Sequence, residues 1–468
     1  MALHSLEFIF IFLPVFLLLY YRLPARFRNL LLLAGSLAFY VIGALSSPWH
    51  VLVLLGSVAV TWALGLFIAP RDTKQSSRPL LVVGIAVNLA FLFVFKYCPP
   101  LLAGLGRLSG AGKSLPELRW VMPLGLSFFT LAHIAYLVDV YRRTIRPEPS
   151  ILRFACFAAF FPKLAAGPVT LWQEMDAPLA RRGISMPRLD NGLRDFIIGL
   201  GLKVLLADQI GGLWTRIGEM GYAGISTPLA WMGSLAFALM LYFDFYGYSL
   251  MALGVGKMLG FRLPDNFYHP YCARTMTDFW RRWHITLTNW FRTYLYQPLG
   301  GSRCSSGRLA LNLLIVWLAT ALWHGASLNF LLWGLLLFAI LCSERFLTMG
   351  LLTGDGIGSQ IGSHVYMILL ILLQWTIFAI PNMKDLGVYL GRLIGIGSAA
   401  NKLDFVALLG SYGWLLALGV LFATPLPRKL FRPIRSRLPG TLLLFAVFAL
   451  AVYCISIGGS KPFFYYHF

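Results

Sequence analysis

Charge is what this chain has least of. Only 12% of its 468 residues are Asp, Glu, Lys or Arg, 58% are hydrophobic, and the mean hydropathy is +0.73. A soluble domain carries about 25% charged residues, so a soluble enzyme of this length is excluded. Low-complexity stretches are also missing, and no polar interval exceeds about 50 residues, which leaves no room for a disordered arm or a separate soluble domain. One membrane domain over residues 1–468 is the expectation. The six cysteines (Cys98, Cys156, Cys272, Cys304, Cys342 and Cys454) form no CxxC pair, and several stand in apolar runs. They read as small buried fillers, with no disulfide and no metal assigned.

What is present in abundance is uninterrupted apolar sequence. Runs near 5–21, 30–44, 51–69, 79–97, 122–140, 151–170, 193–212, 229–252, 309–322, 326–343, 362–381, 404–423 and 440–457 approach the roughly 17–25 residues that cross a bilayer as a helix. They are rich in Leu, Val and Ala and show no alternation, which selects helices over a transmembrane barrel. Because some are short or interrupted by Pro and Gly, an all-α polytopic protein with about eleven spans plus re-entrant or interfacial pieces is predicted. The run 309–322 is too short to cross unless its helix begins earlier. Residues 1–21 contain Glu7 and Pro14 and lack a basic start and a small-residue cleavage site. They read as a retained first helix.

Acidic residues are outnumbered, 18 against 39 Lys and Arg, for a formal charge of +21. The basic residues lie between apolar runs, so membrane topology rather than nucleic acid accounts for them. Arg22, Arg26 and Arg28, then Arg71, Lys74 and Arg78, then Arg142, Arg143 and Arg146 recur at intervals of two spans, which places all three groups in the cytoplasm. Both termini, including Phe468, are then expected on the periplasmic side.

The segment 261–308 differs from the rest. It holds seven arginines against Asp265 and Asp278, and seven Trp and Tyr residues between Tyr268 and Tyr296. This mixture suits the headgroup layer, and the segment is predicted to be interfacial or re-entrant on the cytoplasmic side. A helix beginning near Thr275 would pair Asp278 with Arg282 by i,i+4 spacing and align Trp280, His284 and Thr288 on one face.

Ionisable residues inside apolar sequence are candidates for chemistry, because they are costly in hydrocarbon. His324, in TALWHGASLNF, is the leading one. Trp323 beside it can exclude water and Gly325 lets another group approach, as a general base acting on a hydroxyl requires. On position alone, a structural histidine bridging helices is an equal alternative. His284 lies among Arg281, Arg282, Trp283 and Arg292, where nearby positive charge favours a neutral imidazole. The guanidinium groups match phosphate geometry, and positive-inside topology accounts for them equally well. Asp244, Lys203, Asp208, Lys163, His133 and Asp139 also interrupt apolar runs; for Asp244 the candidate roles are to orient a histidine, to pair with Lys203 or Lys163, or to satisfy backbone loosened by Gly247 and Gly254, and structural support is favoured over direct catalysis.

The blocks DFYGYSL at 244–250, WRRWHITLTNWFRTYLYQPLGG at 280–301, the triplet Trp323, His324 and Gly325, PLGLSFFTLAHIAYLVDVYR at 123–142 and FFPKLAAGP at 160–168 resemble the membrane-bound O-acyltransferase family. The similarity is greatest to its branch that O-acetylates bacterial exopolysaccharides such as alginate and cellulose. Two positions depart from that branch: Leu250 and Thr293 stand where it commonly has Asp. The resemblance implies a ring of helices around a thin centre, with His324 as the principal catalytic residue and His284 as the second signature position. Trp323 and Gly325 would support them, and Arg281, Arg282, Arg292 and Trp283 would be the candidate donor contacts. It implies acetyl-CoA as donor substrate with no tightly bound cofactor, and a bacterial inner-membrane location. The implied partners are periplasmic acetylation proteins and a polysaccharide synthase complex. The competing class is a transporter of a lipid-linked saccharide or acyl carrier, for which two matching halves would be expected; no such repeat is visible. A non-catalytic scaffold is a third class.

Overall fold

The computed structural model describes residues 1–68, 77–108, 121–397 and 403–464. Arg71 and Lys74, residues 109–120 of the glycine-rich 101–120 interval, and Phe468 lie outside the described residues. Among those described there is no β-strand, and ten helices are long and apolar enough to cross a membrane. They are Ala25–Gly43, His50–Ile68, Arg78–Lys96, Met186–Met220, Thr227–Met258, Ser306–His324, Leu328–Leu347, Ile357–Ala379, Leu403–Ala423 and Leu438–Ser456. Two shorter apolar helices, Phe8–Arg22 and Leu126–Tyr141, bring the total close to the expected number. The run at 309–322 is long enough after all, because its helix starts at Ser306 and continues to His324. Outward-facing side chains such as Leu442, Leu443, Phe445, Leu450 and Tyr453 leave one side of the last helix apolar and exposed, as a lipid-facing surface must be.

The chain divides into two compact units. The first comprises residues 1–196 and 251–264 among those described. Its core is aromatic: Phe161 meets Phe12, Phe16 and Phe39 at 5.4–5.5 Å. The Tyr20 and Tyr21 hydroxyls donate to the Leu259 and Met258 carbonyls at 2.9 and 2.8 Å, and Lys257 pairs with Asp195. His133 uses Nδ1 in a buried group with Ser57 at 2.9 Å and Asn88 at 3.3 Å. Lys163 lies over the Phe157 ring at 3.9 Å. Both polar residues thus have local packing roles within this unit.

The second unit comprises residues 197–250 and 265–464 and contains both candidate histidines. Its central electrostatic feature is a buried trio. A widened turn over Leu202–Ala207 brings residues five apart onto one face, so that Lys203 meets Asp208 at 2.6 Å; it also meets Asp244 at 2.8 Å. The C-terminal segment docks on the same carboxylates, Ser460 Oγ donating to Asp208 at 3.1 Å and the Phe464 backbone N–H to Asp244 at 2.8 Å. Asp244 is therefore a buried carboxylate whose ion-pair partner is Lys203.

Candidate active site

The Ser306–His324 helix ends at the candidate base, and Gly325–Ser327 turns the chain into the Leu328–Ser343 helix. The two helices pack closely because Gly334 has no side chain: a Cβ there would lie 2.8 Å from both the Ala321 methyl and the Trp317 carbonyl oxygen. Gly325 is constrained in the same way, since a Cβ at that position would come within 2.6 Å of the Phe330 ring. That ring is itself 6.2 Å from the His324 imidazole. The triplet's glycine therefore permits a close aromatic approach, and its extended backbone is one any residue adopts.

His324 is buried, with 4% of its surface exposed. Its Nδ1 stands 2.8 Å from the Thr320 carbonyl oxygen, one helical turn back. A carbonyl only accepts, so Nδ1 must carry the proton and Nε2 is the basic nitrogen. Aromatic rings line the imidazole, among them Trp323 at 4.9 Å, Trp333 at 5.0 Å, Phe378 at 5.4 Å and Phe330 at 6.2 Å. A histidine with one nitrogen fixed by backbone and walls of aromatic carbon is suited to taking a proton away from bulk water.

His284 reaches the same neighbourhood by a different route from the one its spacing suggests. A helix over Met276–Arg282 begins at Thr275, whose hydroxyl accepts from the Asp278 N–H at 3.0 Å, and Asp278 pairs with Arg282 at 2.9 Å. The helix then stops. His284 adopts the left-handed conformation at φ 41°, and a second short helix runs Ile285–Phe291. Trp280, His284 and Thr288 therefore do not share one helical face. Asn266 holds the break open for the backbone groups it exposes: its carbonyl accepts from Ile285 N–H at 2.9 Å and its side chain from Thr286 Oγ1 at 2.7 Å. The imidazole of His284, 1% exposed, meets the Phe245 ring edge-on at 4.7 Å and Trp323 at 6.2 Å. The two histidines thus share a neighbour in Trp323, which precedes His324 in its helix, 4.9 Å from that imidazole and 6.2 Å from the His284 ring.

The basic residues separate. Arg281 and Arg292 are exposed, and Arg282 is half-buried between Asp278 and the Tyr268 ring, 5.8 Å away. Trp283 is buried, packed against Trp375 at 4.8 Å and Phe267 at 5.1 Å. It belongs to the aromatic interior of this unit, while Arg281 and Arg292 are accessible to a charged ligand.

Several residues that complete this arrangement carry no signal in the sequence pattern. Asn329 donates to the Ile377 and Phe378 carbonyls at 3.2 and 2.9 Å, satisfying orphan acceptors at the end of the Ile357–Ala379 helix and fixing Phe378 against His324. Glu344, wholly buried, accepts from the Met276 and Thr277 N–H groups at 2.5 and 3.0 Å and so anchors the start of the helix that leads to His284. An asparagine or glutamate near a helix end is an ordinary sight in sequence, and only the fold supplies their distant partners. No group of three or more His, Cys, Asp or Glu able to hold a metal occurs among the described residues.

The profile of the membrane-bound O-acyltransferase family matches residues 142–378, a range that includes Asp244, His284 and His324. The chain is 36% identical over 394 residues to the probable alginate O-acetylase AlgI of Azotobacter vinelandii, covering 82% of this chain and 76% of that protein. It is 32% identical over 428 residues to the peptidoglycan O-acetyltransferase of Helicobacter pylori, covering 84% and 80%. The teichoic acid D-alanyltransferase of Bacillus subtilis is 23% identical over 298 residues, covering 61% and 70%. A polytopic helical chain with two buried histidines that share an aromatic neighbour, matched in this way, belongs to the membrane-bound O-acyltransferase family and is an enzyme of that class.

Proposed function

We propose that the enzyme moves an acetyl group from the thioester acetyl-CoA to a hydroxyl on the periplasmic side, serving O-acetylation of an exopolysaccharide. The acceptor is either the glycan or an accessory protein that passes the group on. Alginate is the favoured polymer, on the strength of the relatives named above; cellulose is the alternative. The protein is then a multi-pass component of a bacterial inner membrane with both termini periplasmic, working beside periplasmic acetylation proteins and a polysaccharide synthase.

The observation that carries this reading is the fixed tautomer of His324, with Nδ1–H donated to the Thr320 carbonyl and Nε2 left basic. In the proposed step the acceptor hydroxyl oxygen adds to the thioester carbon as Nε2 takes its proton. The C–S bond then breaks, and the departing thiolate receives that proton from the imidazolium. His284 positions the thioester, and the exposed Arg281 and Arg292 hold the phosphates of the donor. The test gives purified enzyme and its periplasmic partners radiolabelled acetyl-CoA, comparing wild type with His324→Ala and His284→Ala. Loss of label transfer in His324→Ala is expected; transfer at the wild-type rate would overturn the assignment.

A further inference from the structure

An acyl transfer places negative charge on the carbonyl oxygen as the tetrahedral intermediate forms, and donors pre-aimed at that oxygen supply much of the catalysis. Nothing in the sequence nominates them. The structure contains an unusual set of donors beside His324. The indole nitrogens of Trp280, Trp333 and Trp375 are buried, the residues being 9%, 0% and 1% exposed, and none has a hydrogen-bond acceptor among the described residues. Indole N–H is a donor only, and a donor withdrawn from water without an acceptor is destabilising. Other indoles in this protein avoid that cost: Trp231 and Trp62 donate to the Leu393 and Glu148 carbonyls, each at 2.9 Å.

The three rings are mutual neighbours, with centroids 5.8 Å apart for Trp280 and Trp333, 6.3 Å for Trp333 and Trp375, and 6.4 Å for Trp280 and Trp375. They come from three separate helices, Met276–Arg282, Leu328–Ser343 and Ile357–Ala379, so no local sequence preference explains their meeting. Trp333 touches the imidazole of His324 at 5.0 Å.

We propose that the Trp333 indole N–H, with Trp280 beside it, receives the carbonyl oxygen of the acyl group during transfer. This rests on the reading of His324 as the base at a thioester. As the hydroxyl oxygen bonds to the carbonyl carbon, the C=O π pair moves onto oxygen and the indole N–H donates to it. When the C–S bond breaks, that pair returns to re-form the carbonyl. The indoles gain and lose no proton, and the His324 imidazolium returns its proton to the thiolate.

The test separates the hydrogen bond from the packing. β-(3-Benzothienyl)alanine, which keeps the indole shape but replaces N–H by sulfur, is incorporated at position 333 of the full-length enzyme, and separately at 280. Transfer of label from acetyl-CoA is then measured. At 333 kcat is expected to fall by about 10²–10³, the loss typical of one such donor, with KM little changed. As a second readout, [¹³C-carbonyl]acetyl-CoA is bound to His324→Ala enzyme and its infrared carbonyl band recorded. The band is expected to move to lower wavenumber on binding, and the move to vanish in His324→Ala enzyme that also carries the benzothienyl residue at 333. Wild-type kcat in the benzothienyl enzyme, or an unchanged carbonyl shift, would overturn the proposal and leave the indoles as packing whose N–H groups rest on neighbouring ring faces. Failure of the underlying reading looks different: His324→Ala would retain wild-type transfer, or the wild-type enzyme would transfer no label.

Discussion

The buried trio of Lys203, Asp208 and Asp244 makes an asymmetric prediction. One ammonium serves two carboxylates, and the three side chains are only 2%, 4% and 4% exposed. Replacing Lys203 by Met keeps the volume but leaves two neighbouring carboxylates with no cation. Removing one partner of a buried ion pair costs about 3–5 kcal/mol, and here the like-charge repulsion adds to it. Asp244→Asn acts in the opposite direction on the charge balance: it leaves Lys203 and Asp208 as a neutral pair at 2.6 Å, and the amide oxygen still accepts from the Phe464 N–H. Its cost is that of weakening a charged hydrogen bond, about 1.5–3 kcal/mol. Lys203→Met should therefore be the more damaging by a factor of about two in free energy. It should also loosen the C-terminal segment, which is held by Ser460 on Asp208 and by Phe463 stacked on Tyr248 at 4.6 Å. Phe245, adjacent to Asp244, packs on His284, so acyl transfer should fall with stability. The assay is unfolding in detergent micelles followed by intrinsic fluorescence, with label transfer measured on the folded fraction. If Asp244→Asn proved more destabilising than Lys203→Met, or Lys203→Met unfolded within about 1 kcal/mol of wild type, the charge-balance reasoning would be wrong.

Three further outcomes are expected. Gly325→Ala drives a Cβ to within 2.6 Å of the Phe330 ring, and should cost about 1–3 kcal/mol of stability and most of the activity; wild-type transfer by this variant would show that the ring can move without consequence. Asn329→Ala leaves the Ile377 and Phe378 carbonyls without their donor, so a loss of about 1–3 kcal/mol is expected, together with a fall in kcat as Phe378 shifts from His324; Asn329→Asp, which retains the size but not the amide donors, should not rescue it. Arg281→Ser with Arg292→Ser should raise KM for acetyl-CoA and flatten its dependence on salt while leaving unfolding unchanged, because both side chains are exposed; an unaltered KM would remove them from the donor site.

Much of this arrangement could be read before any coordinates. Apolar runs announce the spans, the isolated His324 nominates a candidate site, and spacing gives the Asp278 and Arg282 pairing and a helix start near Thr275, although Thr275 itself, rather than Thr277 or Asp278, is the cap. The break at His284 did not follow, because the helical repeat across 280–288 continues through it; Asn266, 18 residues upstream, supplies the hydrogen bonds that stabilise the left-handed turn. Adjacency groups Trp283 with its arginine neighbours, whereas packing against Trp375 withdraws it to the interior.

Hydropathy and periodicity record how each residue responds to solvent, and that local preference was enough to determine a helical membrane protein with an ionisable residue at an improbable place. Which donors and rings surround His324 depended on side chains from helices separated by tens of residues. Trp333, Trp375, Phe378, Asn329 and Glu344 owe their places to close packing and to the requirement that buried polar groups find partners. Those conditions exist only when the chain is folded, so the tertiary structure alone decided them.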